Sequence, residues 1–252
     1  MSPHPARDGL AHLHRQNLAR RFPPWPGPHR FDPESARGFR RAAVLVLLAP
    51  AQESEEVPGA EVSAPAADLF LVQRSTALRD HPGQISLPGG RIEPGEDVVT
   101  AALRETHEEI GLHPDRAEVI GELPPALVPV SSFVVHPVLA WTEASGFERA
   151  QPGEVLHALR VPVAGLLDPQ RRRSVQVAGL TRFTSVGFRL PVGWVWGFTG
   201  NLLDHLFTQL GWTRPWDPGN RYLMPVAEAR GRGAESIPRD GSDDLSGARE
   251  QA

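Results

Sequence analysis

The chain contains no cysteine, which excludes disulfides, thiolate zinc sites, iron–sulfur clusters and a cysteine nucleophile. That absence fits a reducing compartment without proving one. Lysine is absent too, since every one of the 26 basic residues is arginine. Schiff-base chemistry through lysine is therefore excluded, as is a phosphate loop ending in Gly-Lys-Ser/Thr. A chain built this way must handle phosphates with arginine, backbone amides or metal ions. A strong charge of one sign is also missing: the net charge is −4, so no basic field recruits nucleic acid. The most apolar run, Ala42 to Leu48, falls far short of the ~20 residues a bilayer span needs. The opening Met1-Ser2-Pro3-His4 has no apolar export signal. These absences predict a soluble, cytoplasmic protein with neither a nucleic-acid nor a membrane partner, and they leave the oligomeric state open.

What is present suffices for a folded protein. The 252 residues, 40% hydrophobic and 22% charged, allow one or two domains with a sizeable core. Both ends read as peripheral. Leu10, Leu13 and Leu18 suit a short helix, which the Pro-rich stretch Pro23–Pro28 breaks. From about 228 onward the chain is rich in Gly, Ser and charge and cannot form a core. The expected organisation is an N-terminal extension over 1–34, a folded domain over 35–227 and a disordered tail over 228–252. Within the domain, Ala42–Leu48 reads as a buried strand and Asp68–Gln73 as the next. The acidic, Pro- and Ala-rich stretch 50–67 between them reads as a mobile loop. Further strands are expected at Ala117–Leu123, Val134–Trp141, Val155–Val161, Val175–Phe188 and Val192–Trp196, with helices at Val163–Leu167 and Thr199–Leu210. Strands and helices interleave without a regular repeat, which favours a mixed α/β layered domain, an α+β arrangement around a mixed sheet.

The most informative stretch runs from Gly90 to Leu112. Pro94-Gly95 forms a turn, Glu96 and Asp97 sit where a helix dipole favours acids, and Gly111 is placed to stop the helix. At about 100° per residue, Val99, Leu103, Thr106 and Ile110 share one stripe. Glu105, Glu108 and Glu109 gather on roughly the opposite side. Like charges one turn apart destabilise a helix by ~0.2–0.5 kcal/mol per pair, and Arg104 offsets only part of this. Either the face is merely solvated, or a hard divalent cation shared with substrate phosphates gives the acids a common partner.

The order of residues favours the cation. The stretch resembles the Nudix box, with Gly90, Glu96, Arg104, Glu105, Glu108, Glu109, Gly111 and Leu112 at the required spacing and Thr106 where an aliphatic residue is usual. The resemblance implies an α/β/α sandwich with a loop–helix–loop metal site that hydrolyses a nucleoside diphosphate linked to another group. It makes Glu105 and Glu109 the main ligands of Mg²⁺ or Mn²⁺. Glu108 becomes a further ligand or the holder of a metal-bound water, with the Gly90 carbonyl as a contributor. Glu96 and Arg104 then brace the loop against the helix.

Upstream, Ser75, Arg79, Gly83, Pro88, Gly89 and Gly90 are similar in spacing to the signature of the coenzyme A pyrophosphatase branch of that family. Leu87 replaces its Phe, and Val72 a hydroxyl-bearing residue. Trp196-Gly197-Phe198-Thr199 resembles a downstream segment of the same branch. The implied substrate is coenzyme A or a derivative, cleaved to 4′-phosphopantetheine and adenosine 3′,5′-bisphosphate. The alternatives are another nucleoside diphosphate such as ADP-ribose, or a silent nucleotide sensor. Ser75, Arg79, Gly83 and Arg91 are the candidate substrate-binding residues, with Arg79, and Arg74 or Arg91 beside it, the candidates to hold phosphate. His81 either touches phosphate or is polar surface. Glu154 is the candidate general base, with Glu143 and Glu148 as rivals. Arg171-Arg172-Arg173 reads as a solvated turn, and Trp194 and Trp196 as core.

Overall fold

The computed structural model describes residues 3–52, 65–78, 81–144, 155–179 and 183–230. Helix α1 (Pro5–Leu18) opens the chain. Strands β1 (Arg40–Pro50), β2 (Ala67–Arg74), β3 (Ile85–Ser86) and β4 (Gly89–Arg91) follow, leading into helix α2 (Val98–Ile110). Next come β5 (Glu118–Glu122), β6 (Ala126–Val128), β7 (Phe133–Trp141) and β8 (Val155–Pro162). A short α3 (Val163–Leu166) precedes β9 (Arg172–Val177), β10 (Thr184–Leu190) and β11 (Gly193–Val195). The described chain ends with α4 (Gly197–Gln209), β12 (Arg221–Met224) and α5 (Val226–Ala229).

These strands form one mixed sheet in the order β12-β9-β10-β11-β3-β2-β1-β7-β5, with β4, β6 and β8 pairing β1, β7 and β2. β1 runs parallel to β7 over nine residue pairs from Arg40↔Phe133 to Leu48↔Trp141. Successive side chains of a strand point to opposite faces, and here both faces are covered. Val46, Leu48, Leu69 and Leu71 join one apolar cluster with residues of α1, α3 and α4. Leu45, Leu47, Phe70 and Val72 join the other with Ala101, Ala102 and Ile110 of α2. This explains why β1 and β2 read as continuous apolar runs, and it makes the fold a mixed-sheet α/β/α sandwich. Across the sheet, β11 meets β3 through the single pair Val195↔Ile85.

Three expectations are corrected. The start of the chain is not peripheral, because α1 buries Ala6, Leu10 and Leu13 in the core while Leu18 is 69% exposed. Arg7 bonds Glu118 of β5 at 2.8 Å, and Trp25 Nε1 donates to the Pro124 carbonyl. The expected strand Val175–Phe188 is a hairpin, with β9 and β10 paired from Thr184↔Gln176 to Phe188↔Arg172. Gly179 (φ 81°) adopts the left-handed backbone that ends β9, and the alternation on its two sides masks the break.

The third correction concerns Arg171-Arg172-Arg173, which is not simply a solvated turn. Arg172 is fully buried, its guanidinium lying over the rings of Phe188 and Trp216 at 5.1 and 4.6 Å and paired with Asp204 of α4. Burial pulls its pKa down, against the opposing pull of Asp204. Arg171 ends the short turn before β9 and Arg173, next along the strand, points the other way, so only the middle arginine enters the core. Residues 53–64 of the expected mobile loop, and 231–252 of the expected tail, lie outside the described residues.

Candidate active site

The site is built from β4, α2 and the loop between them. Asp97 caps α2: its Oδ1 accepts from the Val99 and Thr100 amides, each at 3.0 Å, satisfying donors that the first helical turn leaves open. At the other end Gly111 (φ 74°) takes the left-handed stop. Arg104 then ties helix to loop. Its Nε and Nη2 grip the two oxygens of Glu96 at 2.9 and 3.1 Å, and Nη2 also donates to the Arg91 carbonyl at 3.0 Å. Its Nη1 reaches Glu105 at 3.0 Å and Glu108 at 3.3 Å. The Arg104 hydrogen bonds hold the Glu96 carboxyl below its usual pKa. The bracing expected of Glu96 and Arg104 is what the geometry provides.

The three glutamates do not share one solvated face. Glu109 is 4% exposed and accepts from the Gly89 amide at 2.9 Å. Glu105 lies against Gly90, where a Cβ would sit only 2.4 Å from the Glu105 Cδ. Glu108 turns toward Arg104 with a side chain 41% exposed. The buried arc of α2 is wider than the four-residue stripe read from the sequence, because Val98, Ala101 and Ala102 also pack inward and carry Glu105 and Glu109 with them. Thr106, at the usual aliphatic position, is 1% exposed. Its hydroxyl donates to the Ala102 carbonyl at 2.7 Å, so its polar atom costs little there.

Glu105, Glu109, Gly90 and Arg91 line a cavity of about 940 Å³. Its opposite wall comes from β9, the start of α4 and the segment around β6, with Val175, Val128 and Phe198 among its residues. Arg40, Arg74, His81 and Gln84 also face it. Arg40 and Arg91 lie over the Phe133 ring, at 4.2 and 6.0 Å. Arg74 Nε is buried, with no hydrogen-bond partner among the described residues. His29 sits in the wall, its Nδ1 2.8 Å from the Leu127 carbonyl and its Nε2 3.0 Å from Asn201 Nδ2; burial lowers its pKa. Ser75 accepts from the Ala77 amide at 3.3 Å, Gly83 holds a left-handed backbone at φ 65°, and neither is on the cavity wall. Arg79, Glu148 and Glu154 lie outside the described residues. Glu143 accepts from Trp141 Nε1 at 2.8 Å, away from the cavity wall. Trp196 lines the cavity and Trp194 stacks on Tyr222 at 4.8 Å, so neither is plain core.

Several cavity residues escape sequence reading. Phe133 and Arg40 belong to no motif, and Gln84 lies within the signature stretch only at one of its unspecified positions; the signal for all three is proximity in the fold. Among the described residues no three acidic or histidine side chains converge to hold an ion unaided. Two carboxylates beside a backbone carbonyl nonetheless suit a hard cation, which keeps several waters and shares phosphate oxygens with its substrate.

Known proteins resemble this chain in sequence. A family model described as NUDIX domain matches residues 39–178. A Salmonella paratyphi B protein named uncharacterized Nudix hydrolase NudL is 36% identical over 178 residues, spanning 68% of this chain and 83% of its own. Its namesake from Enterobacter sp. is 31% identical over the same span. Among solved structures, the M. smegmatis Nudix hydrolase RenU is 23% identical, covering 52% of this chain and 74% of its own with a TM-score of 0.39. The NUDIX domain of Shewanella oneidensis NrtR, complexed with ADP ribose, is 20% identical, covering 53% and 79% with a TM-score of 0.38. The chain belongs to the Nudix family and is a hydrolase acting on pyrophosphate bonds.

Proposed function

We propose that this hydrolase cleaves the diphosphate of coenzyme A or a derivative, giving 4′-phosphopantetheine and adenosine 3′,5′-bisphosphate, with Mg²⁺ or Mn²⁺. One observation carries the reading. The stretch that resembles the coenzyme A pyrophosphatase signature supplies the cavity wall through His81, Gln84, Leu87 and Gly89, beside Glu105 and Glu109.

The roles follow from the residues. Glu105, Glu109 and the Gly90 carbonyl would hold the ion, with Glu108 as a further ligand or a holder of water. When bound, the ion supplies Lewis acidity and neutralises diphosphate charge. The Gly89 amide orients the Glu109 carboxylate, and Arg104 fixes Glu105 from the other side. Arg91 and Arg74, on the cavity wall, offer fixed positive charge to phosphate oxygens, together with Arg79. Ser75 and Gly83, either side of Arg79 in the sequence, complete the proposed substrate-binding set. Glu154 is the proposed base, taking a proton from the water that attacks phosphorus as the bridging P–O bond breaks.

The test is incubation of the purified chain with coenzyme A and either metal, with both products identified by mass. Release of the bisphosphate and 4′-phosphopantetheine is expected. No release from coenzyme A, with turnover of ADP-ribose, transfers the activity to another nucleoside diphosphate. Tight nucleotide binding without turnover of any diphosphate makes the chain a sensor.

A further inference from the structure

His81 has no role in the chemistry above, yet its surroundings are built. It lines the cavity in a left-handed backbone, φ 55°, which glycine adopts freely and, among other residues, asparagine, aspartate and histidine adopt most. Its Nδ1 is 2.9 Å from Gln84 Oε1. The Gln84 amide is oriented from elsewhere: its Nε2 donates at 3.1 Å to the carbonyl of Ala229, 145 residues away at the end of α5. The backbone carbonyl of Gln84 also accepts from the Arg74 amide at 2.9 Å, closing the base of the loop. These contacts fix the proton assignment. An amide whose nitrogen faces a carbonyl must present its oxygen to His81, and an oxygen can only accept. Nδ1 therefore carries a hydrogen, and Nε2 is the nitrogen left for a ligand. No hydrogen bond to Nε2 is present among the described residues.

We propose that His81 is a substrate-binding residue whose Nε2 hydrogen-bonds a phosphate oxygen of the nucleoside diphosphate ester. Gln84 is its positioning residue, anchored by the C-terminal segment through Ala229. The proposal rests on the diphosphatase reading and adds to it the loop residue that meets the substrate. A phosphate oxygen accepts, so in this contact Nε2 is the donor and both ring nitrogens carry hydrogen. The C-terminal segment thereby becomes part of the binding apparatus, although it lies beyond the matched family region of residues 39–178.

The experiment is steady-state kinetics on full-length His81→Asn, Gln84→Leu and the double variant, using whichever diphosphate the wild type turns over. Asparagine accepts the left-handed backbone and so preserves the loop. Gln84→Leu keeps comparable bulk and removes both hydrogen bonds. Each single change should raise KM about tenfold or more, the worth of one hydrogen bond to a charged group, with kcat within about threefold. The double variant should be no more than about twofold worse than His81→Asn, because both act through one contact. A KM unchanged in His81→Asn, or single effects that multiply in the double variant, overturns the proposal. A wild type that hydrolyses coenzyme A or ADP-ribose keeps the enzymatic reading standing whatever the variants do. A wild type that hydrolyses no diphosphate removes both.

Discussion

Replacing Gly90 by alanine separates catalysis from stability. The new methyl carbon would sit 2.4 Å from both Cδ and Oε1 of Glu105, and 2.5 Å from Oε2. Reaching ordinary contact near 3.5 Å needs a retreat of about 1 Å. The obstacle is the free end of a flexible side chain, so the carboxylate swings away and the backbone stays. The fold should barely register this, with Tm within about 2 °C of wild type, less than ~1 kcal/mol for a chain this long. The proposed metal ligand, however, leaves its place, and a displacement of about 1 Å in a reacting constellation costs about 10²-fold. That is about 2.7 kcal/mol of transition-state stabilisation. Gly89→Ala is the opposite control. There the methyl would meet the Ala43 carbonyl oxygen at 2.3 Å and Val44 Cα at 2.7 Å, from a backbone at φ 150°. Neither obstacle can swing aside, and the variant should lose about 3 kcal/mol or more. The assays are diphosphate hydrolysis at saturating metal and thermal denaturation of each variant. Gly90→Ala with wild-type kcat/KM and an intact fold would show that the Glu105 carboxylate is not needed where Gly90 admits it.

Three further outcomes are expected. Arg172→Met should lower stability by about 2–3 kcal/mol, less than a fully enclosed pair because Asp204 can rehydrate, seen as a Tm drop of about 5–10 °C; an unchanged Tm would refute its role in joining α4 to the hairpin. Burial, reinforced by Arg41, pushes the His136 pKa down to about 4, so the unfolded chain takes up the proton first. The folded state should then lose stability as pH falls from about 6.5 toward 4. Tm measured across that range should fall less steeply in His136→Gln, and parallel curves would contradict the assignment. Chelation with EDTA should abolish hydrolysis and added Mg²⁺ or Mn²⁺ restore it, while Glu109→Gln should remove both the rescue and the metal-induced rise in Tm; metal-independent turnover would count against the ion site.

Much of the active side was legible because it is local. The turn, the acidic start and the glycine stop of α2 lie within one short stretch, and each acts through neighbours in the chain. Arg104 and Glu96 are likewise eight residues apart and meet across one loop. What the sequence hid depends on distant partners. Glu109 looks solvated on a helical wheel, yet Gly89 and β1 close over it. Arg172 looks like any member of a basic run, until Phe188, Trp216 and Asp204 arrive from later in the chain. The β9–β10 turn was invisible because alternation continues on both sides of it. Leu10 and Leu13 read as a short helix in a peripheral segment, and that helix joins the core because β5 and β7 offer it a surface. The Phe133 ring under two arginines, and the amide chain from Ala229 to His81, join elements that no short pattern links.

The lone rung between Val195 and Ile85 also shapes how the molecule tolerates change. With almost no ladder across that seam, and beside the bond from Gln73 to the Val192 carbonyl, cohesion there falls largely to oily side chains such as Leu87 and Phe188, both in the cluster that includes Ile85 and Val195. Such adhesion has no preferred direction and weakens in the cold. The two walls that face one another across the cavity are therefore held more by contact than by ladder, with a few side-chain ties such as Gln84 to the Ala229 carbonyl. Aliphatic swaps along the join should pass with little penalty, whereas one polar intruder would part it.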